Sequence, residues 1–123
     1  MNAVVEIIFN AFSEGNKILL CGNGGSASDA QHIAAELTGR FFKDRTALFA
    51  EALHVNSSYM TAVANDYGFE KTYSRLLEAK GNKGDVLIVS KVFALGLKLI
   101  ALGLLHPKTA GTHDPLSKQA VES

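Results

Sequence analysis

The chain has 123 residues, 47% hydrophobic and 20% charged, which fits one globular domain and excludes a disordered or fibrous chain. Twelve Lys and Arg balance twelve Asp and Glu, so no strong net field recruits nucleic acid or an anionic membrane. The single cysteine, Cys21, cannot form an internal disulfide, and no apolar run reaches the ~18 residues of a membrane span, so a cytoplasmic location is expected.

Met1 to Phe12 is apolar but lacks a basic leader and a small-residue cleavage site. Val4, Ile7, Ile8, Ala11 and Phe12 follow the i, i+3, i+4, i+7, i+8 pattern of an amphipathic helix, with Gly15 as its stop. Lys17 to Cys21 reads as a buried strand between two Gly-containing turns. Ser26 to Arg40 reads as a helix with Ser26 at the N-cap and Asp29 three residues on. A second strand is expected within Thr46–Val55, then helices over Ser57–Asn65 and Phe69–Lys80 around the break Asp66-Tyr67-Gly68. Asp85 to Val89 reads as a strand and Leu97 to Leu102 as another. Strands alternating with helices predict an α/β fold, a parallel sheet covered on both faces.

Two features break that regularity. Leu104 to Ser123 is polar, punctuated by Pro107, Gly111 and Pro115, with no long periodic segment. Between the strand at Asp85–Val89 and the apolar run from Val92, only Ser90 and Lys91 intervene, whereas a parallel crossover needs about ten residues or more.

The loop Gly22-Asn23-Gly24-Gly25-Ser26 between a strand and a helix is a candidate anion site. Glycines let the backbone approach an anion closely, and helix-start N–H groups point at it. Ala27 stands where the dinucleotide fingerprint needs its third glycine, and the P-loop lysine is absent. A small phosphorylated metabolite therefore suits the loop better than a nucleotide. The competing reading is a tight turn with no ligand.

On the helix that follows, Ala30, Ile33, Ala34 and Leu37 form the stripe expected to face the sheet. His32 and Glu36, four apart, point together away from it. Such a pair can transfer protons, supply two ligands to zinc, or simply be a solvent-facing ion pair. His54, His106 and His113 have no partner at metal spacing and read as ordinary surface or loop histidines, and Tyr59, Tyr67 and Tyr73 as packing residues. Arg40, Lys43 and Arg45 form a basic cluster suited to a helix C-terminus.

The run CGNGGSASDAQHIAAELTGRF, and after it TAVANDYGFEKTYSRLLEAKGNKGDVLI, resemble in the same order the sedoheptulose 7-phosphate isomerases of the sugar-isomerase (SIS) domain family. The resemblance implies a three-layer αβα sandwich with a five-stranded parallel sheet, a homotetramer with active sites between subunits, and one zinc per subunit. The implied activity is aldose–ketose isomerisation of sedoheptulose 7-phosphate to D-glycero-D-manno-heptose 7-phosphate for lipopolysaccharide heptose synthesis. It also implies residue roles. Asn23, Gly24, Gly25 and Ser26 match a substrate-binding loop, and Asn65 and Asp66 a second substrate-binding pair. His32 matches a zinc ligand, and Glu36 both a metal contact and the catalytic base.

The sequence also departs from that pattern. Of the family's phosphate-gripping serine loop only Ser90 remains, the closing helix with its glutamine and histidine is not found, and the N-terminal helical hairpin is short. Two readings follow, a degenerate relative or a chain that omits segments of a longer protein. Omission is favoured, because the loss at Ser90–Lys91 also removes the crossover the fold demands. The rival functional class is a non-catalytic SIS-domain protein that binds a sugar phosphate or a replication initiator; Glu36 favours the enzyme.

Overall fold

The computed structural model describes residues 3–90 and 119–122. The first helix, α1 (Ala3–Ser13), buries Val4 and Ala11 against the sheet. It ends in a Schellman turn: Gly15 at φ 77° donates to the Phe12 carbonyl, and Asn16 to that of Ala11. Gly15 is thus the stop that the periodicity predicts.

Strand β1 (Ile18–Gly22) is buried along its whole length, as a central strand covered on both faces must be. Helix α2 (Gly25–Thr38) follows after two residues. Next come β2 (Ala50–Ala52), α3 (Ser57–Tyr67), a 3₁₀ turn at Phe69–Lys71, α4 (Thr72–Lys80), β3 (Val86–Ser90) and β4 (Gln119–Glu122). The four strands are parallel, in the order β2-β1-β3-β4. The register sets Ile18 beside Ala50 and Val86, and Gly22 beside Ser90.

Alternation along β1 divides the core in two. Ile18 and Leu20 face α1 and α2 with Ala30, Ile33, Ala34, Val86 and Ile88. Leu19 and Cys21 face the other way, toward Leu53, Leu76, Tyr59, Tyr73 and Leu77 of the β2–α4 half. The helix stripe read from Ala30, Ile33 and Ala34 is therefore the sheet-facing one.

Several boundaries differ from the sequence reading. The strand expected within Thr46–Val55 is Ala50–Ala52, paired to Ile18–Leu20 of β1. Helix α3 runs two residues further than expected and stops at Gly68, whose φ of 92° a side chain would resist. Phe69–Lys80 is a 3₁₀ turn and then a helix, and the Thr72 hydroxyl donates to the Phe69 carbonyl at 2.8 Å at the junction. The polar tail, read without a regular element, contributes β4, paired to β3. The crossover partner of β3 among the described strands thus follows after residues 91–118, and the strand expected at Leu97–Leu102 lies outside the described residues.

The opposite, N-terminal ends of β1 and β3 are held by a buried ion pair. The Asp85 carboxylate accepts from Lys17 Nζ at 2.6 Å, from the Lys17 N–H at 3.0 Å and from the Asn82 N–H at 2.6 Å. Burial alone would raise the Asp85 pKa, but these donors and the Lys17 charge bring it below the usual carboxylate value.

Candidate functional site

At the carboxyl ends of the parallel strands, β1 passes into α2 through Asn23 and Gly24. Gly24 is the N-cap, at φ 56° and ψ −124°, a conformation that strongly favours glycine. Ser26 is therefore not the N-cap that the sequence predicts. The glycine turns the chain two residues earlier, and Ser26 lies buried in the first helical turn. Its N–H donates to the Asn23 carbonyl at 3.0 Å, and Ala27 and Ser28 donate to that of Gly24.

The N–H groups of Gly24 and Gly25 have no acceptor among the described residues, while the ladder register turns the Asn23 N–H toward the Ser90 carbonyl. Two consecutive free donors at a helix start make this loop a candidate anion site. Two glycines serve it differently. A Cβ on Gly22 would come within 2.8 Å of Ser26, so this glycine lets strand and helix approach. A Cβ on Gly25 would meet nothing within 4 Å, which leaves open space over the loop.

Beside the loop, Ser90 ends β3 opposite Gly22 and is buried, with its hydroxyl unpartnered among the described residues. Across the loop's other side Tyr73 reaches in from α4. Its hydroxyl lies 2.6 Å from the Gly22 carbonyl and 3.2 Å from Asn23 Oδ1. Burial raises the Tyr73 pKa above the usual phenol value. The sequence reading placed Tyr73 among packing residues; its link to a loop fifty positions away leaves no mark in local spacing.

On α2, His32 Nε2 and Glu36 Oε1 are 3.1 Å apart, as the i, i+4 spacing predicts. The imidazole is 66% exposed and the carboxylate 29%. At about 100° per residue Gly25, His32 and Glu36 share one helical stripe, and the rise from Gly25 to His32 is about 10 Å. The anion loop and the acid–base pair therefore lie along one face. Arg45 fixes the far end of this helix by donating to the carbonyls of Glu36 and Leu37 at 2.9 Å each. Of the expected basic cluster, this member does cap the helix, which ends at Thr38 and not at Arg40.

Asn65 and Asp66 sit in the last turn of α3, exposed, with Asn65 Nδ2 donating to Asp66 Oδ1 at 3.0 Å. Just beyond them Phe69 packs edge-on against Tyr73, with centroids 6.4 Å apart. His54 is half-buried rather than a plain surface histidine. It bonds Gln31 Oε1 at 3.3 Å, its Nδ1 is buried without a partner among the described residues, and burial lowers its pKa. His106 and His113 lie outside the described residues.

The donor set bears on zinc. His32 and Glu36 offer a nitrogen and an oxygen of the kind zinc takes, but a catalytic zinc needs three protein ligands. Among the described residues no three His, Cys, Asp or Glu are grouped to hold a metal. These residues do not by themselves make a zinc centre. No described helix is long and apolar enough to cross a membrane.

A parallel sheet with helices on both faces and a glycine loop at its carboxyl edge defines an α/β domain of the class whose ligands sit at that edge. The SIS domain profile matches residues 1–92, and the chain belongs to the SIS domain family. It is 55% identical over 87 residues to a phosphoheptose isomerase of Synechocystis, covering 71% of this chain and 45% of that one. To a phosphoheptose isomerase of Helicobacter pylori it is 43% identical over 131 residues, covering 95% and 67%. A solved phosphoheptose isomerase from Francisella tularensis superposes with a TM-score of 0.75 at 30% identity, covering 96% of this chain and 58% of that one. The chain spans about half the length of curated relatives such as that of Synechocystis.

Proposed function

We propose that the protein is a ketose–aldose isomerase acting on sedoheptulose 7-phosphate. The observation that carries this reading is the shared face of α2, with free N–H donors at Gly24 and Gly25 and the His32–Glu36 pair about two turns on. Relatives named phosphoheptose isomerase at 43% to 55% identity support the substrate.

In this reading Asn23, Gly24, Gly25, Ser26 and Ser90 receive the sugar phosphate, with Asn65 and Asp66 as a second binding pair. The Glu36 carboxylate removes the proton from C1 of the ketose. Electrons move into the C1–C2 bond, giving an enediolate whose charge sits on the former carbonyl oxygen. Glu36 returns the proton to C2, and the hydroxyl proton of O1 moves to O2, leaving the aldehyde at C1. His32, beside Glu36, is placed to orient the carboxylate.

Zinc is part of the proposal. His32 and Glu36 would supply two of its ligands, and the bound ion would supply positive charge to the enediolate oxygen. Further ligands would come from residues outside those described or from a neighbouring subunit of a homotetramer. A cytoplasmic location and a role in lipopolysaccharide heptose synthesis complete the proposal.

The test is an isomerisation assay with sedoheptulose 7-phosphate, run with and without added zinc on the protein as it occurs in its cell. Aldoheptose phosphate formation is expected. Tight binding of the sugar phosphate without turnover would point instead to a non-catalytic SIS-domain protein and sink the isomerase reading.

A further inference from the structure

We propose that Tyr73 is a positioning residue that holds the Gly22–Asn23 corner of the anion loop in its ligand-receiving shape. The inference deepens the proposed function, and rests on it for the identity of the ligand.

A phenol carries one proton, and two oxygens lie within reach of it. The 2.6 Å contact to the Gly22 carbonyl takes that proton, and Asn23 Oδ1 at 3.2 Å is the weaker neighbour. The consequence is geometric. Gly22 is the last residue of β1, and its carbonyl is drawn toward α4, so this acceptor is turned out of the space where an anion would sit. The peptide N–H on its other side is that of Asn23, which faces Ser90 of β3. Holding the carbonyl therefore fixes the plane of the peptide from which the free donors of Gly24 and Gly25 follow.

The support behind Tyr73 is equally specific. Phe69 meets its ring edge-on, and Phe69 follows Gly68 directly after the helix whose last turn carries Asn65 and Asp66. Two residues on in α4, the Arg75 guanidinium lies 4.3 Å from the Tyr67 ring centroid, which ties α4 to the same corner. Tyr73 thus joins the loop to the segment carrying the second candidate binding pair. Packing alone does not require the hydroxyl, because a phenylalanine would fill the same space.

The discriminating variant is Tyr73→Phe, which keeps the ring and its contact with Phe69. Two measurements separate the questions. In the free protein, amide exchange at Ser26 and Ala27, whose N–H groups close the loop on Asn23 and Gly24, is expected to quicken about 3- to 10-fold, the range for one net hydrogen bond. Exchange at Leu19 and Ile88 in the sheet should stay as in the parent. In the isomerase assay, KM for sedoheptulose 7-phosphate is expected to rise about 3- to 10-fold with kcat within a factor of about two. Unchanged exchange at Ser26 and Ala27 overturns the proposal, as does a fall in kcat at constant KM, which would assign the hydroxyl to chemistry. If the parent protein itself shows no turnover, the isomerase reading fails while the exchange measurement still decides the role of Tyr73.

Discussion

Lys17 Nζ lies 2.6 Å from Asp85 Oδ2 at the N-terminal feet of β1 and β3, the end of the sheet opposite Gly22 and Ser90. Three donors converge on this carboxylate, and it is almost wholly buried. The fold is clamped at one end of two adjacent strands and keeps its unsatisfied donors at the other. Removing the carboxylate charge in Asp85→Asn strands a largely buried ammonium, and is expected to cost about 3 kcal/mol in urea unfolding. An unchanged midpoint would contradict this.

Acid should act through the same group. The Asp85 pKa is lowered in the folded state, so its contribution is complete above the unfolded carboxylate pKa of about 4 and is lost as pH falls through the folded value. Stability measured from pH 6 downward should therefore fall below about pH 4, and Asp85→Asn should flatten that part of the profile. His54, with its lowered pKa, adds a shallower loss on acidification that begins near pH 6.5, where the unfolded imidazole protonates first.

Glu36→Gln keeps the shape of the side chain and removes its capacity to accept a proton. Turnover is expected to drop by about 100-fold or more. The pair with His32 is on the surface, so thermal stability should change by no more than about 0.5 kcal/mol. Full activity in this variant would remove Glu36 from the mechanism.

The two loop glycines should separate folding from binding. Gly22→Ala drives a methyl against both the side chain and the backbone of Ser26, and is expected to destabilise by about 1–3 kcal/mol. Gly25→Ala meets open space and should fold within about 0.5 kcal/mol of the parent. A methyl at this residue, which carries one of the free N–H groups, is expected to crowd the bound phosphate and weaken sugar-phosphate binding. Calorimetric titration alongside thermal melts checks both.

Cys21 faces the α4 side of the core, and burial pushes its thiol up to about 11. Alkylation by iodoacetamide at pH 8 should be slow in the native protein and fast in urea. Rapid native labelling would mean that the β1–α4 face opens readily.

Local sequence was informative wherever a short-range rule operates. The stripe Ala30, Ile33, Ala34 faces the sheet because a 3.6-residue period leaves no other face apolar, and His32 meets Glu36 because four residues make one turn. Gly15 ends α1 because a positive φ was needed there. The prediction that missed was one of competing caps. Ser26 has the chemistry of an N-cap, yet Gly24 takes the role because its backbone turns the chain first.

The parallel α/β pattern, the glycine turn at Gly22–Ser26 between strand and helix and the pairing of His32 with Glu36 were thus determined by the sequence alone, since each depends on residues within a few turns. The tertiary structure decided what depends on residues far apart in the chain. It set Tyr73 on the Gly22 carbonyl, Asp85 on Lys17, Ser90 beside Gly22, and β4 against β3 from a tail with no periodic signal. Such contacts arise from sheet register and helix packing, which no local window of the chain encodes.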